Sequence, residues 1–303
     1  MDSSTIGVLA LQGSFSEHVS MLKKLGVSVV EVRLPEQLEG LSGLVLPGGE
    51  STAMAIVGAD TGIFPALRTF VRSGKPVWGT CAGMILLSDS AVFQKEGGQA
   101  LVGGLDVEVC RNFFGSQVQS CELELETSGD VGESTATTGS GGVAPPKTNA
   151  VFIRAPAIIR AGKAVEVLAR VKATPSAMAL RTLKEEAQGG TSKQQDESKE
   201  GDDADGSSPR QAKRAKSSRK ESEEEEEARL QAAVMAAGSK RHVPRDADMS
   251  ALGVATNEKP WDVIVAARQG NIIATAFHPE FTNDLRWHEY FLGVVSEFEA
   301  TAK

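Results

Sequence analysis

The chain has few of the features that mark secreted, membrane-spanning or nucleic-acid-binding proteins. Its 303 residues include only three cysteines, too few for a disulfide framework, so we expect a reduced, cytoplasmic protein. Its apolar runs are short, and its first residues lack a basic stretch followed by an apolar one, so neither a membrane span nor a signal peptide is expected. The net charge of −8 leaves no basic excess for phosphate contacts, which argues against a general nucleic-acid binder.

Aromatic residues are also scarce, and one long stretch has none. Between residues 181 and 250, 30 of 70 residues are charged, so this stretch cannot bury enough apolar surface to offset the entropy lost on ordering. We therefore predict a charged, disordered insert at residues 174–258 and one discontinuous domain made of residues 1–173 and 259–303. Within the insert, residues 209–220 (PRQAKRAKSSRK) are basic and precede an acidic run. They are interpreted either as a solvated, self-neutralising tether or as a nuclear-import or polyanion-binding signal.

The rest of the chain alternates between short apolar runs and helical periodicity. Buried strands are predicted at residues 6–11, 27–32, 43–46 and 76–79. Helices are predicted at residues 15–25, 63–71 and 283–299. Antiparallel strands are predicted at residues 105–110, 118–125, 165–170, 261–267 and 271–277, and a loop at residues 127–148. This order predicts an α/β fold, a single domain with a mostly parallel central sheet flanked by helices.

One cysteine lies where a nucleophile is expected. The sequence GTCAG places Cys81 between a buried strand and a predicted helix, and small residues two positions to either side permit the sharp turn of a nucleophile elbow. The start of the helix favours a thiolate at this position. The alternative is a structural cysteine at a helix start, because this motif is short.

A histidine and a glutamate at the end of the last strand complete the chemistry that such a thiol needs. In the sequence FHPE, His278 and Glu280 would face the same way in an extended segment, so the carboxylate can orient the imidazole. Of the other histidines, His242 falls in the predicted insert, His288 is interpreted as a surface or packing residue, and His18 as a partly buried helix residue. His278 therefore remains as the base.

A pair of glycines follows the third predicted strand, in the sequence PGGEST at residues 47–52. Two glycines allow the backbone to turn its N–H groups towards a bound oxyanion. The alternative is an ordinary strand-to-helix turn with Ser51 or Thr52 as the N-cap, and both interpretations can hold together.

Together these residues resemble the class I, triad-type glutamine amidotransferases. Five motifs in order narrow the resemblance to the glutaminase subunit of pyridoxal 5′-phosphate synthase: LALQG (9–13), PGGEST (47–52), RNFFGSQ (111–117), FIRAP (152–156) and FHPE (277–280). The similarity covers about residues 6–125, 151–170 and 261–303. The predicted loop and insert depart from the family pattern, as does Phe281, where the family often has leucine.

The resemblance implies a role for each site residue. It makes Cys81 the nucleophile, His278 the general base and acid, and Glu280 the carboxylate that orients it. It implies an L-glutamine pocket formed by Gly49, Glu50, Ser51, Arg111, Ile153 and Arg154. It implies that the backbone N–H groups of Gly49 and Ala82 hold the oxyanion. The two arginines suit this pocket, because a guanidinium can bind the carboxylate of a free amino acid through two hydrogen bonds.

The implied reaction hydrolyses L-glutamine to glutamate and ammonia through a cysteine thioester, with no metal and no cofactor. The implied partner is the lyase-type synthase subunit, which uses the ammonia to build pyridoxal 5′-phosphate from ribose 5-phosphate and glyceraldehyde 3-phosphate. Two alternatives are another triad amidotransferase, such as the glutaminase of imidazole glycerol phosphate synthase, and a binding or regulatory protein in which the insert acts. PGGEST and RNFFGSQ favour the vitamin B6 family over the first, and the intact triad argues against loss of catalysis in the second.

Overall fold

The computed structural model describes residues 4–92, 100–114, 121–126, 147–189 and 261–301, in which strands and helices alternate over much of the length. The strands are β1 (Thr5–Leu9), β2 (Ser28–Val32), β3 (Gly43–Leu46), β4 (Val77–Thr80), β5 (Ser88–Val92), β6 (Leu105–Cys110), β7 (Cys121–Glu126), β8 (Lys147–Phe152), β9 (Ala157–Ala161), β10 (Glu166–Ala173), β11 (Trp261–Gln269) and β12 (Ile272–Thr275). The helices are α1 (Phe15–Lys24), α2 (Ser51–Thr61), α3 (Ile63–Arg72), α4 (Ala82–Leu87), α5 (Ala177–Gly189) and α6 (Arg286–Thr301). Short 3₁₀ turns lie at Pro35–Leu38 and Pro279–Phe281.

Ten of the described strands form one sheet, which is parallel at one end and largely antiparallel at the other. The strand order is β2–β1–β3–β4–β12–β11–β9–β6–β5, and β10 also pairs with β11. The five strands from β2 to β12 are parallel. The pairs of β11 with β12, β9 and β10 are antiparallel, as is that of β6 with β9, while β7 and β8 form a separate antiparallel pair. This arrangement confirms the predicted α/β fold with a mostly parallel central sheet, since five of the nine strand pairs in this sheet are parallel.

The parallel strands bring three chain segments together at one edge of the sheet. Every residue of β3 and β4 is buried, as expected for continuous apolar runs covered on both faces. The register pairs Leu46 with Gly79 and Thr80 with Thr275, so β3, β4 and β12 end side by side. The residues that follow these strands therefore meet at their carboxyl ends, the usual place for a site in such a sheet.

The closing helix begins later than its periodicity predicts. The predicted start was residue 283, but α6 begins at Arg286, because two side chains form local turns in front of it. The hydroxyl of Thr282 accepts from the backbone of Asp284, and the Asp284 carboxylate accepts from the backbone of Arg286 at 3.0 Å. The helix then buries Trp287, Tyr290, Phe291, Val294 and Val295, which form part of the hydrophobic core.

The range predicted as the insert begins with a helix. The structure has α5 where disorder was expected from residue 174, and Ala179 and Leu180 are buried. The backbone of Ser176 donates to the carbonyl of Phe113 at 2.8 Å, and the Ser176 hydroxyl accepts from Ala179, which attaches the start of this helix to the chain after β6. The prediction of disorder was therefore wrong for the first part of this range, where α5 lies. Residues 190–260 and most of the predicted loop, residues 127–146, lie outside the described residues.

The chain divides into two units, residues 1–182 with 250–303, and residues 183–249. Of the second unit, only residues 183–189 are described. The predicted domain boundaries, 1–173 and 259–303, stay a prediction. No single described helix is long and apolar enough to cross a membrane; α2 and α3 pass that test together, but with a bend of 101° between them.

Candidate active site

Cys81 lies on a strained turn between β4 and α4. Its φ angle of +46° is unusual for a residue with a side chain, and its backbone N–H donates to the carbonyl of Thr275 at 2.8 Å, so β12 holds the turn in place. A Cβ atom at Gly83 would overlap the carbonyl of Leu46, and one at Gly79 would overlap the backbone of Gly83. The two glycines of GTCAG therefore allow α4 to approach the sheet closely, which is the elbow geometry that the sequence predicts.

His278 and Glu280 follow the end of β12, and His278 lies next to Cys81. Nδ1 of His278 lies 2.8 Å from Oε1 of Glu280, and the neighbouring Cys81 side chain raises the pKa of the imidazole. The prediction that His278 and Glu280 share an extended segment was wrong, because residues 279–281 form a 3₁₀ turn. Pro279 occupies the first position of that turn, where its fixed φ is favourable, and the turn brings the Glu280 carboxylate back to the ring.

The neighbours of His278 and Glu280 shift the pKa values of both side chains in this largely buried site. Burial alone would lower the pKa of His278, but the charge and hydrogen bond of Cys81 and the carboxylate of Glu280 raise it to about 10. Burial alone would raise the pKa of Glu280, but the neighbouring His18 and His278 and a hydrogen bond from Ser14 lower it to about 2. At neutral pH the site therefore holds an imidazolium between a sulfur atom and a carboxylate.

Two contacts of this site were missed by the sequence analysis. Ser14 is at the N-cap of α1 but makes no capping hydrogen bond with its side chain; its hydroxyl donates instead to Oε1 of Glu280. Its backbone N–H donates to the carbonyl of Gly48 at 3.0 Å. A Cβ atom at Gly48 would overlap the His278 ring and lie 3.2 Å from Cβ of Cys81, so this glycine lets the turn after β3 pack against the site. A serine before a helix is typical of capping, so its sequence position gave no signal of this contact.

The turn after β3 also begins α2, and its cap differs from the prediction. The N-cap is Glu50, not Ser51 or Thr52, because the Glu50 carboxylate accepts from the backbone N–H groups of Thr52 and Ala53. The backbone N–H of Glu50 donates to Oε1 of Gln12 at 2.7 Å, which ties this turn to the LALQG motif. The helix cap and the predicted substrate turn are thus the same segment.

The structure brings most of the predicted glutamine pocket together. Arg111 donates to the hydroxyl of Ser51 at 3.0 Å and lies 3.9 Å from the Glu50 carboxylate. Burial lowers the pKa of Arg111, Glu50 raises it, and the nearby positive charge of Arg154 lowers it. Arg154 has a φ angle of +49° and is exposed, and its neighbour Ile153 is half-buried. Two guanidinium groups that repel each other in this way suit a pocket that receives a carboxylate.

Of the two backbone donors predicted for the oxyanion, Ala82 follows Cys81 in sequence, and Gly49 belongs to the turn after β3 that packs against Cys81. Ala82 is the first residue of α4, so its N–H has no partner within the helix. Gly49 follows Gly48, which packs against Cys81, and a Cβ atom at Gly49 would meet the Gln12 side chain. These positions are compatible with the predicted oxyanion role, which stays a prediction.

Two further histidines are more deeply buried than predicted. His18 and His288 have no exposed surface, although the sequence favoured a partly buried helix residue for the first and left a surface position open for the second. Nδ1 of His18 lies 3.0 Å from Nε2 of His288. Among the described residues, no group of three or more His, Cys, Asp or Glu side chains could hold a metal ion. His242 lies outside the described residues.

A strained cysteine elbow after one parallel strand, with a His–Glu pair at the end of the next, defines a class I glutamine amidotransferase. The sequence model of the SNO glutamine amidotransferase family matches residues 8–182, and the chain belongs to this family.

Known proteins similar to this chain agree with that assignment. The probable pyridoxal 5′-phosphate synthase subunit PDX2 of Arabidopsis thaliana is 42% identical over 98% of this chain and 88% of its own length. The pyridoxal 5′-phosphate synthase subunit PdxT of a Parafrankia species is 47% identical over 59% of this chain and 81% of its own length. A crystal structure described as a glutamine amidotransferase aligns with a TM-score of 0.58 at 31% identity, covering 96% of this chain and 98% of the other.

Proposed function

We propose that this chain is the glutaminase subunit of a pyridoxal 5′-phosphate synthase. It hydrolyses L-glutamine to glutamate and ammonia and passes the ammonia to a synthase subunit. The observation that carries the proposal is the placement of Cys81 and the hydrogen-bonded His278–Glu280 pair next to one another, after the carboxyl ends of β4 and β12. The similarity to pyridoxal 5′-phosphate synthase subunits supports the choice of synthase.

The first half of the reaction forms a thioester. A protonated His278 beside Cys81 stabilises the thiolate, which attacks the side-chain amide carbon of glutamine. The resulting oxyanion is held by the backbone N–H groups of Gly49 and Ala82. His278 gives its proton to the departing nitrogen, ammonia leaves, and a γ-glutamyl thioester with Cys81 remains.

The second half regenerates the enzyme. The now neutral His278 takes a proton from a water molecule, which attacks the thioester carbonyl. The tetrahedral intermediate collapses, glutamate leaves, and the thiolate of Cys81 is again paired with the imidazolium. Glu280 stays ionised throughout, because its low pKa keeps it a carboxylate, and it holds the imidazole with Nδ1 as the donor.

The pocket on the other side of the thiol would bind the amino-acid end of the substrate. Arg111 and Arg154 supply positive charge for the α-carboxylate, and the Glu50 carboxylate supplies negative charge for the α-ammonium group. Gly49, Ser51 and Ile153 line the same region. This division leaves the side-chain amide of glutamine for Cys81.

A synthase partner follows from the chemistry of the product. Ammonia released into solution at neutral pH is mostly ammonium, which is not a nucleophile, so productive use requires transfer to a second subunit away from water. We propose a cytoplasmic complex. Entry into the nucleus through residues 209–220 stays a prediction, and those residues lie outside the described part of the chain.

The test is to measure glutamate released from glutamine by the purified chain, alone and with a pyridoxal 5′-phosphate synthase subunit. We expect glutamate release with the partner present. The complex should form pyridoxal 5′-phosphate when glutamine is the nitrogen source, and ammonium chloride should be able to replace glutamine. Stimulation by a different synthase only, such as imidazole glycerol phosphate synthase, would contradict the choice of partner. No release with any partner would favour a binding or regulatory role.

A further inference from the structure

Two buried histidines lie directly behind Glu280, and the mechanism proposed above uses neither. Nε2 of His18 lies 3.3 Å from Oε2 of Glu280 and 3.2 Å from the hydroxyl of Thr80. On its other side, Nδ1 of His18 lies 3.0 Å from Nε2 of His288. His18, Thr80 and His288 have no exposed surface. A chain of polar groups therefore continues from the active-site thiol past Glu280 into the core.

Burial lowers the pKa of both histidines, which favours the neutral imidazole. Burial lowers the pKa of His18, Glu280 and Glu17 oppose that shift, and the charge of His278 adds to it. Burial and the charge of His18 lower the pKa of His288 to about 3, although Glu280 and Asp284 oppose the shift. A neutral imidazole carries one N–H, so each ring donates from one nitrogen and accepts at the other.

One arrangement of these protons suits all the contacts. With its proton on Nε2, His18 presents an N–H to Glu280 and Thr80 and accepts at Nδ1 from the Nε2–H of His288. Nδ1 of His288 is then unprotonated, which agrees with its lack of a hydrogen-bond partner among the described residues. The opposite arrangement would turn a lone pair of His18 towards the carboxylate and leave a buried N–H of His288 without an acceptor, and both are unfavourable.

We propose that His18, oriented by His288, is a positioning residue for the Glu280 carboxylate, an inference that rests on the proposed function. Oε1 of Glu280 accepts hydrogen bonds from the Ser14 hydroxyl and from Nδ1 of His278. Oε2 has no aligned hydrogen bond among the described residues and faces the Nε2–H edge of His18. A neutral N–H dipole steadies this oxygen without the full positive charge that a lysine or arginine would bring. The negative charge of Glu280 therefore stays available to the imidazolium of His278.

Packing alone does not account for the two rings. Both contact Trp78 edge-on, with centroid distances of 5.4 Å for His18 and 5.0 Å for His288. An apolar side chain would fill this layer without the cost of desolvating ring nitrogens. The polar edge aimed at Glu280 is what an apolar side chain would lack.

The test compares His18→Gln, which keeps an amide N–H near the position of Nε2, with His18→Leu, which keeps volume but has no donor. With the synthase subunit present, we expect His18→Leu to lower kcat about 10- to 100-fold and to change KM less than about threefold. His18→Gln should retain most of the wild-type kcat. The control is Phe291→Leu, which trims a buried ring 5.9 Å from the same Trp78 but removes no polar group, and it should keep kcat.

A second readout does not depend on turnover. The rate at which iodoacetamide alkylates Cys81, followed by mass spectrometry of its peptide against pH, reports the thiolate paired with His278. In His18→Leu a less firmly held Glu280 stabilises the imidazolium less, so we expect the acid limb of this profile to move to higher pH, and to stay in place in His18→Gln. If His18→Leu does not fold, His18→Asn replaces it, because its shorter amide lies near the Nδ1 position and not near Glu280.

A wild-type kcat in His18→Leu, an equal loss in Phe291→Leu, or no difference between the glutamine and leucine variants would each overturn the positioning role. If instead the wild-type protein releases no glutamate with its partner, the proposed function fails. The alkylation profiles then still decide whether His18 acts on the Cys81–His278 pair.

Discussion

The two sides of the candidate site are built differently. On the catalytic side, His278 and Glu280 are each 5% exposed, and they contact the start of α1 and the backbone of β8. On the pocket side, the Glu50 side chain is 49% exposed, Arg111 is partly buried, and Arg154 is exposed. The catalytic groups are held by core packing, whereas the pocket groups lie on turns that follow β3, β6 and β8.

This difference indicates that the two sides have different functions. A buried charge pair keeps its geometry because every movement would leave a polar group without a partner, and reaction steps depend on such fixed geometry. An exposed turn with positively charged side chains can admit and release a charged substrate. Substitutions on the catalytic side should therefore change kcat, and substitutions on the pocket side should change KM.

The largest effect is expected at the nucleophile. Cys81→Ala or Cys81→Ser should abolish glutamine hydrolysis with the fold intact, because no other described nucleophile contacts His278. Glutamate release and far-UV circular dichroism check this. Cys110→Ala is the matched control, since Cys110 is also a buried cysteine but ends β6, and it should keep most of the activity. Wild-type hydrolysis by Cys81→Ser would show that the nucleophile lies elsewhere.

The next largest effect on activity is expected at the carboxylate of Glu280. Glu280→Gln should lower kcat about 10²- to 10⁴-fold and change KM much less, because Glu280 acts on the base and not on the substrate. Steady-state kinetics with the synthase subunit measure both parameters. An unchanged kcat would mean that another acid orients His278.

In the glutamine pocket we expect a smaller effect, on KM and not on kcat. Arg111→Lys keeps the charge but loses the forked geometry and the bond to Ser51, so we expect KM to rise about tenfold with kcat nearly unchanged. Arg33→Lys is the control, because Arg33 pairs with Glu31 on the surface. A loss confined to kcat would contradict the division between the two sides.

The buried histidines behind the catalytic side should also make the free energy of unfolding depend on pH. His288 has a pKa of about 3 in the folded chain against 6.5 for an exposed histidine, so below pH 6.5 the unfolded chain binds a proton that the folded chain does not. Stability therefore falls as the pH drops from 6.5 towards 3, and each such histidine contributes up to about 1.4 kcal/mol per pH unit. Urea denaturation at pH 8 and pH 5 should show a smaller acid loss in His288→Gln than in the wild type. Equal losses would mean that His288 is protonated in the folded protein.

The smallest effect is expected from shortening the predicted insert. Replacing residues 190–250 with a short Gly/Ser linker keeps all of α5, and it should leave the Tm and the synthase-coupled glutaminase activity nearly unchanged, because the cost of closing a loop grows by only about 0.6 kcal/mol per doubling of its length. Thermal unfolding and glutamate release measure the two. A marked fall in either would mean that this segment packs against the rest of the protein or its partner.

Local sequence patterns carried much of the fold and the central chemistry. The continuous apolar runs predicted β1, β3 and β4, since strands buried on both faces must be apolar throughout. The glycines around Cys81 predicted the elbow, because only glycine tolerates the close backbone contacts there. Boundaries were less predictable, as at Arg286, where side chains of two preceding residues decide where the helix starts.

What only the tertiary structure decided are the contacts between residues far apart in the chain. Ser14 has the sequence position of a helix cap, and His18 and His288 have no motif that links them, yet the fold places Ser14 and His18 against Glu280 and His288 against His18. Sequence alone determined which residues can do the chemistry, because side-chain type and local turn propensity are properties of short segments. The packing of α1 and α6 against β4 determined how those residues are held, because burial sets their protonation and their hydrogen-bond partners.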